Sequence, residues 1–221
     1  MQDPDDRGDR QHGTVLSIRP LITRIAIFAS GSGTNAEEII RYFGDRRTGE
    51  VALILSNVPT AYVLERARKH GIPFMVFSRE EFYHSDAVDR ALIQHHIGMI
   101  VLAGFLWLMP PRLIVRYPTL NIHPALLPRF GGKGMYGMRV HEAVIAAGEK
   151  ETGISIHRVN ERYDEGEIVY QTTCPVYPDD SPEDVAKRVH QLEYAHYPRI
   201  IADEILRIQS GSSGPPGARG A

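Results

Sequence analysis

The segment Arg24-Ile-Ala-Ile-Phe-Ala-Ser-Gly-Ser-Gly-Thr-Asn35 carries the strongest signal for the fold of this chain. Its first seven residues are a nearly continuous apolar run of strand length, and two glycines then lead into a helical pattern with Ile39, Ile40 and Phe43. A short apolar run that ends at glycine is typical of a strand buried on both faces. A strand, a tight glycine turn and a helix together predict the first unit of a parallel sheet.

The same alternation of strands and helices continues along the first half of the chain. Strands are predicted at Val51–Ser56, Phe74–Ser78 and Met99–Gly104, and helices at Ala61–His70 and Asp86–Ile97. Strands that are apolar on both faces and separated by helices indicate a parallel sheet covered on both sides. The predicted class is α/β: a single open, mostly parallel, Rossmann-like sheet flanked by helices.

The second half of the chain has a different pattern. A mobile glycine-rich loop is expected at Phe130–Gly137, a helix at Val140–Ala147, and two alternating strands at Gly153–Asn160 and Glu167–Tyr177. Alternation of apolar and polar residues is typical of half-exposed antiparallel strands, so we expect antiparallel edge strands here.

A long final helix is predicted to begin at Ser181-Pro-Glu-Asp184, which has a capping serine, a proline in the first helical position and an acid two residues later. Its expected core stripe consists of Val185, Val189, Leu192 and His196.

Composition narrows the functional classes. The chain has 221 residues, with 43% hydrophobic residues and 25 Lys and Arg against 27 Asp and Glu. This balance predicts no binding of nucleic acid. The longest apolar run, Met99 to Met109, is about half the length of a membrane helix, so no membrane span is predicted. One cysteine, Cys174, fits a core position and a cytoplasmic protein.

Asn121 and His123 lie on a short strand-forming run, Thr119–His123, that Pro124 ends. Side chains two residues apart on a strand point to the same face, so an amide donor and a group that titrates near neutrality are placed side by side. Such a pair can hold an oxyanion and move a proton. The alternative is a strand end whose polar groups only satisfy the backbone of a loop.

The glycine loop predicts an anion site. The free N–H groups and dipole of the helix after it favour a negative ligand, and Thr34 and Asn35 add uncharged donors. A dinucleotide is disfavoured because Ser56-Asn57 stands where an acid should bind the ribose, so a phosphomonoester is preferred. A tight turn without any ligand remains the alternative.

The loop Asn160–Gly166 contains a possible third catalytic group. Asp164 precedes Glu165-Gly166, which suits a tight loop that returns a carboxylate towards the sheet, where it would raise the pKa of His123. A solvated acidic turn is the alternative. His157 is expected to be a surface or hydrogen-bonded strand residue. No metal site is predicted, because no histidine pair has ligand spacing.

Five motifs taken together resemble the glycinamide ribonucleotide formyltransferases of the folate-dependent formyltransferase family. They are Gly31–Asn35, Ala103–Phe105, Asn121–Pro128, Tyr163–Gly166 and Glu193–Pro198. The resemblance implies transfer of a formyl group from the co-substrate 10-formyltetrahydrofolate to the amine of glycinamide ribonucleotide in de novo purine synthesis.

The resemblance also implies roles for single residues. Asn121, His123 and Asp164 would be catalytic, Gly33, Thr34 and Asn35 would hold the phosphate, and Glu193 would meet the ribose or the glycinamide end. Folate would contact Leu106, Trp107, Leu108, Met109, Asn121, Asn160, Glu161 and Tyr163. Asn121 and protonated His123 would stabilise the oxyanion, and Asp164 would keep His123 charged and assist proton transfer.

The expected organisation is one formyltransferase domain between two disordered ends. The domain would cover residues 24–209, with a nucleotide-binding half at 24–120 and a folate-side catalytic half at 121–209; residues 1–23 would be a leader and 210–221 a tail. A monomer and a homodimer are both compatible with the near-neutral charge.

Three positions depart from the family pattern. The glycine-rich segment Phe130–Arg139 is longer than the usual loop, Trp107 stands where arginine is common, and Ser85 falls about where a second folate-side arginine is expected.

Rival functions are a 10-formyltetrahydrofolate hydrolase, a methionyl-tRNA formyltransferase, and a nucleotide-binding or sensor module without catalysis. The first usually has an amino-terminal regulatory domain, and the second should have a basic carboxy-terminal domain. The third is disfavoured because Asn121, His123 and Asp164 are all present.

Overall fold

A computed structural model describes residues 22–46 and 48–211. The predicted leader at 1–23 and tail at 210–221 lie almost entirely outside the described residues.

The described residues form a seven-stranded sheet with the order β3-β2-β1-β4-β5-β6-β7. The strands are β1 (Thr23–Phe28), β2 (Gly49–Ser56), β3 (Phe74–Val76), β4 (Met99–Leu102), β5 (Thr119–His123), β6 (Glu151–Arg158) and β7 (Ile168–Pro175). Strands β1 to β5 pair in parallel, whereas β6 pairs antiparallel with both β5 and β7. The predicted mixed α/β sheet is therefore confirmed.

Helices cover both faces of this sheet. They are α1 (Thr34–Gly44), α2 (Val63–Lys69), α3 (Arg79–Tyr83), α4 (Ala87–Gln94), α5 (Pro111–Arg116), α6 (Met138–Ala146) and α7 (Pro182–Gln209). The sequence did not predict the short helices α3 and α5. Each is stabilised by a local signal, a capping box at Ser78 and Glu81 for α3 and a proline in the first turn of α5.

Two core layers follow from the alternation of side chains along the central strands. Ile25 and Ile27 of β1 belong to the layer that includes residues of α1, α2 and α7. Ala26 and Phe28 belong to the opposite layer, which includes residues of α3, α4 and α5. Because β1 lies between β2 and β4, the strand order reverses beside it, and a crevice opens at the carboxyl ends of β1 and β4.

Two details of the carboxy-terminal half correct the sequence predictions. Strand β6 is almost fully buried and not half-exposed, because it lies between β5 and β7. His196 is not part of the core stripe of α7; its ring stacks on Tyr170, and the Tyr170 hydroxyl lies 2.9 Å from His196 Nδ1. The stripe instead continues through Tyr197 and Ile201, which are both fully buried in the core.

Candidate active site

A cavity of about 660 Å³ opens at the carboxyl ends of β1, β4 and β5. Its walls come from the glycine loop before α1, the segment after β4, the end of β5, the loop between β6 and β7, and the segment before α6. The cavity thus occupies the crevice that the reversed strand order creates.

Asn121 and Asp164 meet at one end of this cavity, although they are far apart in the chain. Asn121 Nδ2 lies 3.3 Å from Asp164 Oδ1 and 3.1 Å from His157 Nε2. His157 Nε2 is also 3.5 Å from Asp164 Oδ1. The carboxylate of Asp164 is therefore in contact with the amide of Asn121.

His123 is held between Asp164 and the segment after β5. Its Nε2 donates to the backbone oxygen of Phe130 at 2.7 Å, and its Nδ1 lies 3.5 Å from Asp164 Oδ2. The N–H of Gly132 donates to the same carboxylate oxygen at 2.9 Å. The segment Phe130–Arg139, which we call the lid, thus touches both the imidazole and the carboxylate.

Electrostatics in this cluster differ from the sequence prediction in one respect. Burial lowers the pKa of His123, and this effect exceeds the increase caused by Asp164 and by the Phe130 carbonyl. Asp164 thus acts on the pKa of His123 in the predicted direction, but the net pKa is lowered. Burial raises the pKa of Asp164, but His157, His123 and the Gly132 N–H outweigh it, so the net pKa is lowered and Asp164 is ionised.

His157 is the residue of this cluster that sequence reasoning missed. It is only 1% exposed, and it stands directly opposite Asn121 in the pairing of β5 with β6. Its Nδ1 lies 3.2 Å from the Arg158 carbonyl oxygen, and its Nε2 faces both Asn121 Nδ2 and Asp164 Oδ1. The signal that could have found it is the register of the two strands, which the sequence alone does not fix.

Backbone conformation at the cluster is unusual in two places. Asp164 has φ 56° and Phe130 has φ 55°, so both residues occupy the left-handed region that residues other than glycine rarely adopt. Such conformations concentrate at functional sites, where the surrounding structure maintains them. Here they aim a carboxylate and a carbonyl oxygen at the same imidazole.

The opposite end of the cavity contains the glycine loop. Gly33 is the amino-terminal cap of α1, with φ 70°, and no side chain accepts from the first N–H groups of the helix. Gly33, Thr34 and Asn35 line the cavity. Asn35 Nδ2 donates to Glu193 Oε2 at 2.9 Å. Burial raises the pKa of Glu193 to about 7, although the bond from Asn35 acts against this. Gly33, Thr34, Asn35 and Glu193 thus lie together, as predicted.

The predicted folate residues divide into two groups. Leu106, Trp107, Leu108, Met109 and Tyr163 line the cavity, but Asn160 and Glu161 do not. Asn160 instead shapes its own loop, since its side chain bonds Arg162 N–H and the Glu165 carbonyl at 2.9 and 3.0 Å.

A second, smaller cavity shares Leu108 and Met109 with the first. It is lined by Arg79, whose guanidinium lies 4.9 Å from the ring centre of Tyr83 and 5.7 Å from that of Trp107. Ser85 lines neither of these cavities; its hydroxyl donates to the Glu81 carbonyl and accepts from Ala87 N–H. The cation beside Trp107 is thus Arg79, which the sequence analysis did not single out.

The part of the chain that the structure describes contains neither a candidate metal site nor a candidate membrane-spanning helix. No group of three or more His, Cys, Asp and Glu residues there could hold a metal ion. Within the same residues, no helix has both the length and the apolar character needed to cross a membrane.

Comparison with known proteins identifies the family to which this chain belongs. Residues 23–201 match the family model described as formyl transferase. The chain is 39% identical over 193 residues to the chloroplastic phosphoribosylglycinamide formyltransferase of Arabidopsis thaliana. The aligned region covers 84% of this chain and 66% of that protein. It is 38% identical over 186 residues to phosphoribosylglycinamide formyltransferase of Haemophilus influenzae, across 80% of this chain and 85% of that one. This chain belongs to the formyl transferase family.

Solved structures support the same membership. The crystal structure of glycinamide ribonucleotide transformylase 1 from Symbiobacterium toebii superimposes with a TM-score of 0.76 at 32% identity, and covers 84% of this chain and 88% of that one. The predicted resemblance and the Rossmann-like fold are confirmed. By this membership the protein is a transferase.

Proposed function

We propose that this formyl transferase family member transfers the formyl group of 10-formyltetrahydrofolate to the amine of glycinamide ribonucleotide. The observation that carries the proposal is that Asp164 contacts both Asn121 and His123 at one end of a cavity. The opposite end of this cavity is the polar glycine loop, and one of its walls is apolar. The relatives named above bear the name of this activity.

The ribonucleotide would occupy the glycine-loop end. Its phosphate would accept from the first N–H groups of α1 and from Thr34 and Asn35, because a helix amino terminus favours an anion. Glu193 would bond the ribose or the glycinamide end. This orientation directs the amine towards Asn121 and His123.

The folate would lie along the apolar wall. Leu106, Trp107, Leu108 and Met109 would contact the pterin, and the loop that contains Tyr163 would close beside it. Arg79 would meet the acidic tail, because the second cavity that it lines shares Leu108 and Met109 with the first.

The reaction would proceed by addition and elimination. The neutral amine attacks the formyl carbon, so a nitrogen–carbon bond forms and the carbonyl oxygen becomes an oxyanion. The intermediate then collapses: the bond between the formyl carbon and the folate nitrogen breaks, and one proton passes from the former amine to that nitrogen. The products are formylglycinamide ribonucleotide and tetrahydrofolate.

Asn121 and His123 would stabilise the oxyanion by hydrogen bonding. Loss of one such donor typically costs about 3–4 kcal/mol in the transition state. Because burial lowers the pKa of His123, the ring would act first as a neutral donor. Its Nε2–H, which donates to the Phe130 carbonyl in this structure, would turn to the oxyanion as the lid moves, and the forming charge would then raise the pKa of His123. Asp164, 3.5 Å from Nδ1, would stabilise the resulting cation and help to move the proton, directly or through water.

A spectrophotometric assay of folate deformylation, with and without glycinamide ribonucleotide, tests this function. The expected result is deformylation that depends on the ribonucleotide and yields one formylated ribonucleotide per tetrahydrofolate. Equal deformylation without the acceptor would identify a hydrolase. No deformylation by the folded protein would identify a binding module.

Three further predictions accompany this function. We expect a cytoplasmic protein, a monomer or homodimer, and no metal in catalysis. One relative is named chloroplastic, so the compartment varies within the family.

A further inference from the structure

Among the described residues that line the phosphate end of the cavity, none is a cation. Arg66 contacts the glycine loop, where its Nε donates to the Ser32 carbonyl at 2.8 Å, but it does not line the cavity and it pairs with Glu37 at 3.0 Å. The groups at the phosphate end are the glycine loop, Asn35 and Glu193, and the carboxyl of Glu193 adds a negative charge whenever it ionises. A phosphomonoester carries a charge of about −1.5 to −2 at neutral pH. The glycine loop alone therefore leaves most of the ligand's charge without a partner.

The lid carries the cations that could balance this charge. Of the described residues that line the cavity, three are permanently basic: Lys133 and Arg139 in the lid, and Arg162 in the loop between β6 and β7. Arg162 already pairs with Glu165 at 3.1 Å. Lys133 has no ion-pair or hydrogen-bond partner among residues 22–46 and 48–211, and Arg139 only lies over the ring of Tyr136, 5.1 Å from its centre.

The lid ends in a helix whose amino terminus also lines the cavity. Helix α6 follows Gly137 without a side-chain cap, and Gly137, Met138 and Arg139 all face the cavity. Both α6 and α1 pack against α7. The two helix amino termini are therefore joined through the same stretch of α7.

Side-chain contacts link α1 to α6 through α7. Asn35 of α1 bonds Glu193 of α7, His190 lies one turn earlier on α7, and the ring of His190 lies 6.5 Å from that of His141 on α6. His141 lines the cavity, is 2% exposed, and its Nδ1 has no hydrogen-bond partner among the described residues. A buried polar atom without a partner is uncommon in folded proteins and marks a place where a ligand can bind.

We propose that the lid and the amino terminus of α6 form the second half of the phosphate site, with Lys133 and Arg139 as its charged ligands and His141 as a buried donor. The inference rests on the function proposed above and assigns a role to the glycine-rich lid. A ligand phosphate is then held between two helix amino termini, and the lid closes because the phosphate attracts it.

The two imidazoles contribute as neutral donors and not as fixed charges. Burial lowers the pKa of His141 to about 4, with further lowering by His190 and His123, and burial also lowers the pKa of His190. Other titratable groups that line this cavity are Glu193 on α7, His157 on β6, Tyr136 and Tyr163, and Asp164, whose carboxylate accepts from Gly132 N–H of the lid. The charge that matches the phosphate must therefore come from Lys133 and Arg139.

The acidic tail of the folate is the other anion that these cations could bind. Steady-state kinetics of Lys133→Met, Arg139→Met and the double variant show whether these cations bind the phosphate or the acidic tail of the folate. For a phosphate site, each single change raises the KM for glycinamide ribonucleotide about tenfold. The KM for 10-formyltetrahydrofolate stays within about twofold of wild type, and Lys133→Arg restores most of the loss. Lys150→Met, an exposed lysine outside the cavity, is the matched control.

A binding measurement separates this proposal from the proposed function. Inorganic phosphate is titrated into the wild type and the double variant, and the shift in melting temperature is recorded. Stabilisation of the wild type that is lost in the double variant supports the site even if no formyl transfer is found. Equal stabilisation of both proteins, an unchanged KM for the ribonucleotide, or a raised KM for the folate alone would each overturn it.

Discussion

The two ends of the cavity hold their polar groups in different ways. At the glycine-loop end, the donors are backbone N–H groups and uncharged side chains fixed by the start of α1. At the other end, four titratable or amide groups from β5, β6 and a loop contact one another, and the lid contributes a carbonyl and an N–H. A rigid end is suited to binding, whereas a cluster whose protonation can change is suited to catalysis.

This contrast predicts that changes at the two ends affect different kinetic constants. Substitutions in the Asn121–Asp164 cluster should lower kcat, and substitutions around Gly33 should raise the KM for the ribonucleotide.

The largest effect is expected for Asp164→Asn. Asparagine tolerates the left-handed backbone of this position, so the loop should keep its shape while the charge beside His123 is lost. We expect kcat to fall by about 10²- to 10⁴-fold with little change in either KM, measured by steady-state deformylation. Asp179→Asn, which changes an exposed acid outside the cavity, is the control. A variant with more than half of the wild-type kcat would exclude a catalytic role for Asp164.

A smaller effect is expected for Gly33→Ala. A Cβ at this position would lie 2.6 Å from Cβ and Cγ2 of Val63, and φ is +70°. The turn and α2 must therefore move apart, which should destabilise the protein by about 1–3 kcal/mol and raise the KM for the ribonucleotide.

Denaturant unfolding and steady-state kinetics check both parts of this prediction. Gly44→Ala, in the last turn of the same helix, meets no atom within 4 Å and should leave both properties nearly unchanged. If the two variants had equal KM values, the glycine loop would not be part of the phosphate site.

The smallest effect is a pH dependence at Glu193. Its carboxyl ionises near pH 4.5 in the unfolded chain but near 7 in the buried site, so the folded protein favours the neutral form. The contribution of Glu193 to stability should therefore be largest below pH 4.5 and decrease as the pH rises to about 7.

Glu193→Gln should remove this decrease, and it should also flatten the rise in KM for the ribonucleotide expected as wild-type Glu193 ionises beside the phosphate. Thermal unfolding and kinetics between pH 5 and 8, in steps of about half a unit, are the measurements. Parallel pH curves for the two proteins would show that Glu193 does not titrate in this range.

Local signals made much of this molecule predictable. The strand and glycine turn of β1, the Ser181 cap of α7 and the side-by-side placement of Asn121 and His123 depend on neighbouring residues, and the structure has all of them. The composition of the loop around Asp164 left a solvated acidic turn open, and the expectation that Asp164 lies beside His123 came from the family resemblance; the two side chains are 3.5 Å apart.

Other features depend on contacts between distant segments. His157 reaches Asn121 only through the register of β5 with β6, and Arg79 reaches Trp107 only because α3 packs beside the segment after β4. The pKa of His123 depends on burial as well as on Asp164, and the spacing of residues in the sequence does not predict the extent of burial. For these features the tertiary structure was necessary.

The turnover of His123→Asn with both substrates at saturation tests the catalytic end most directly, with His96→Asn as a control at an exposed histidine outside the cavity. If His123 stabilises the oxyanion and moves the proton, kcat should fall at least about a hundredfold in a folded protein, while His96→Asn keeps wild-type turnover. Wild-type turnover by folded His123→Asn would contradict the assignment of the Asn121, His123 and Asp164 cluster as the catalytic centre.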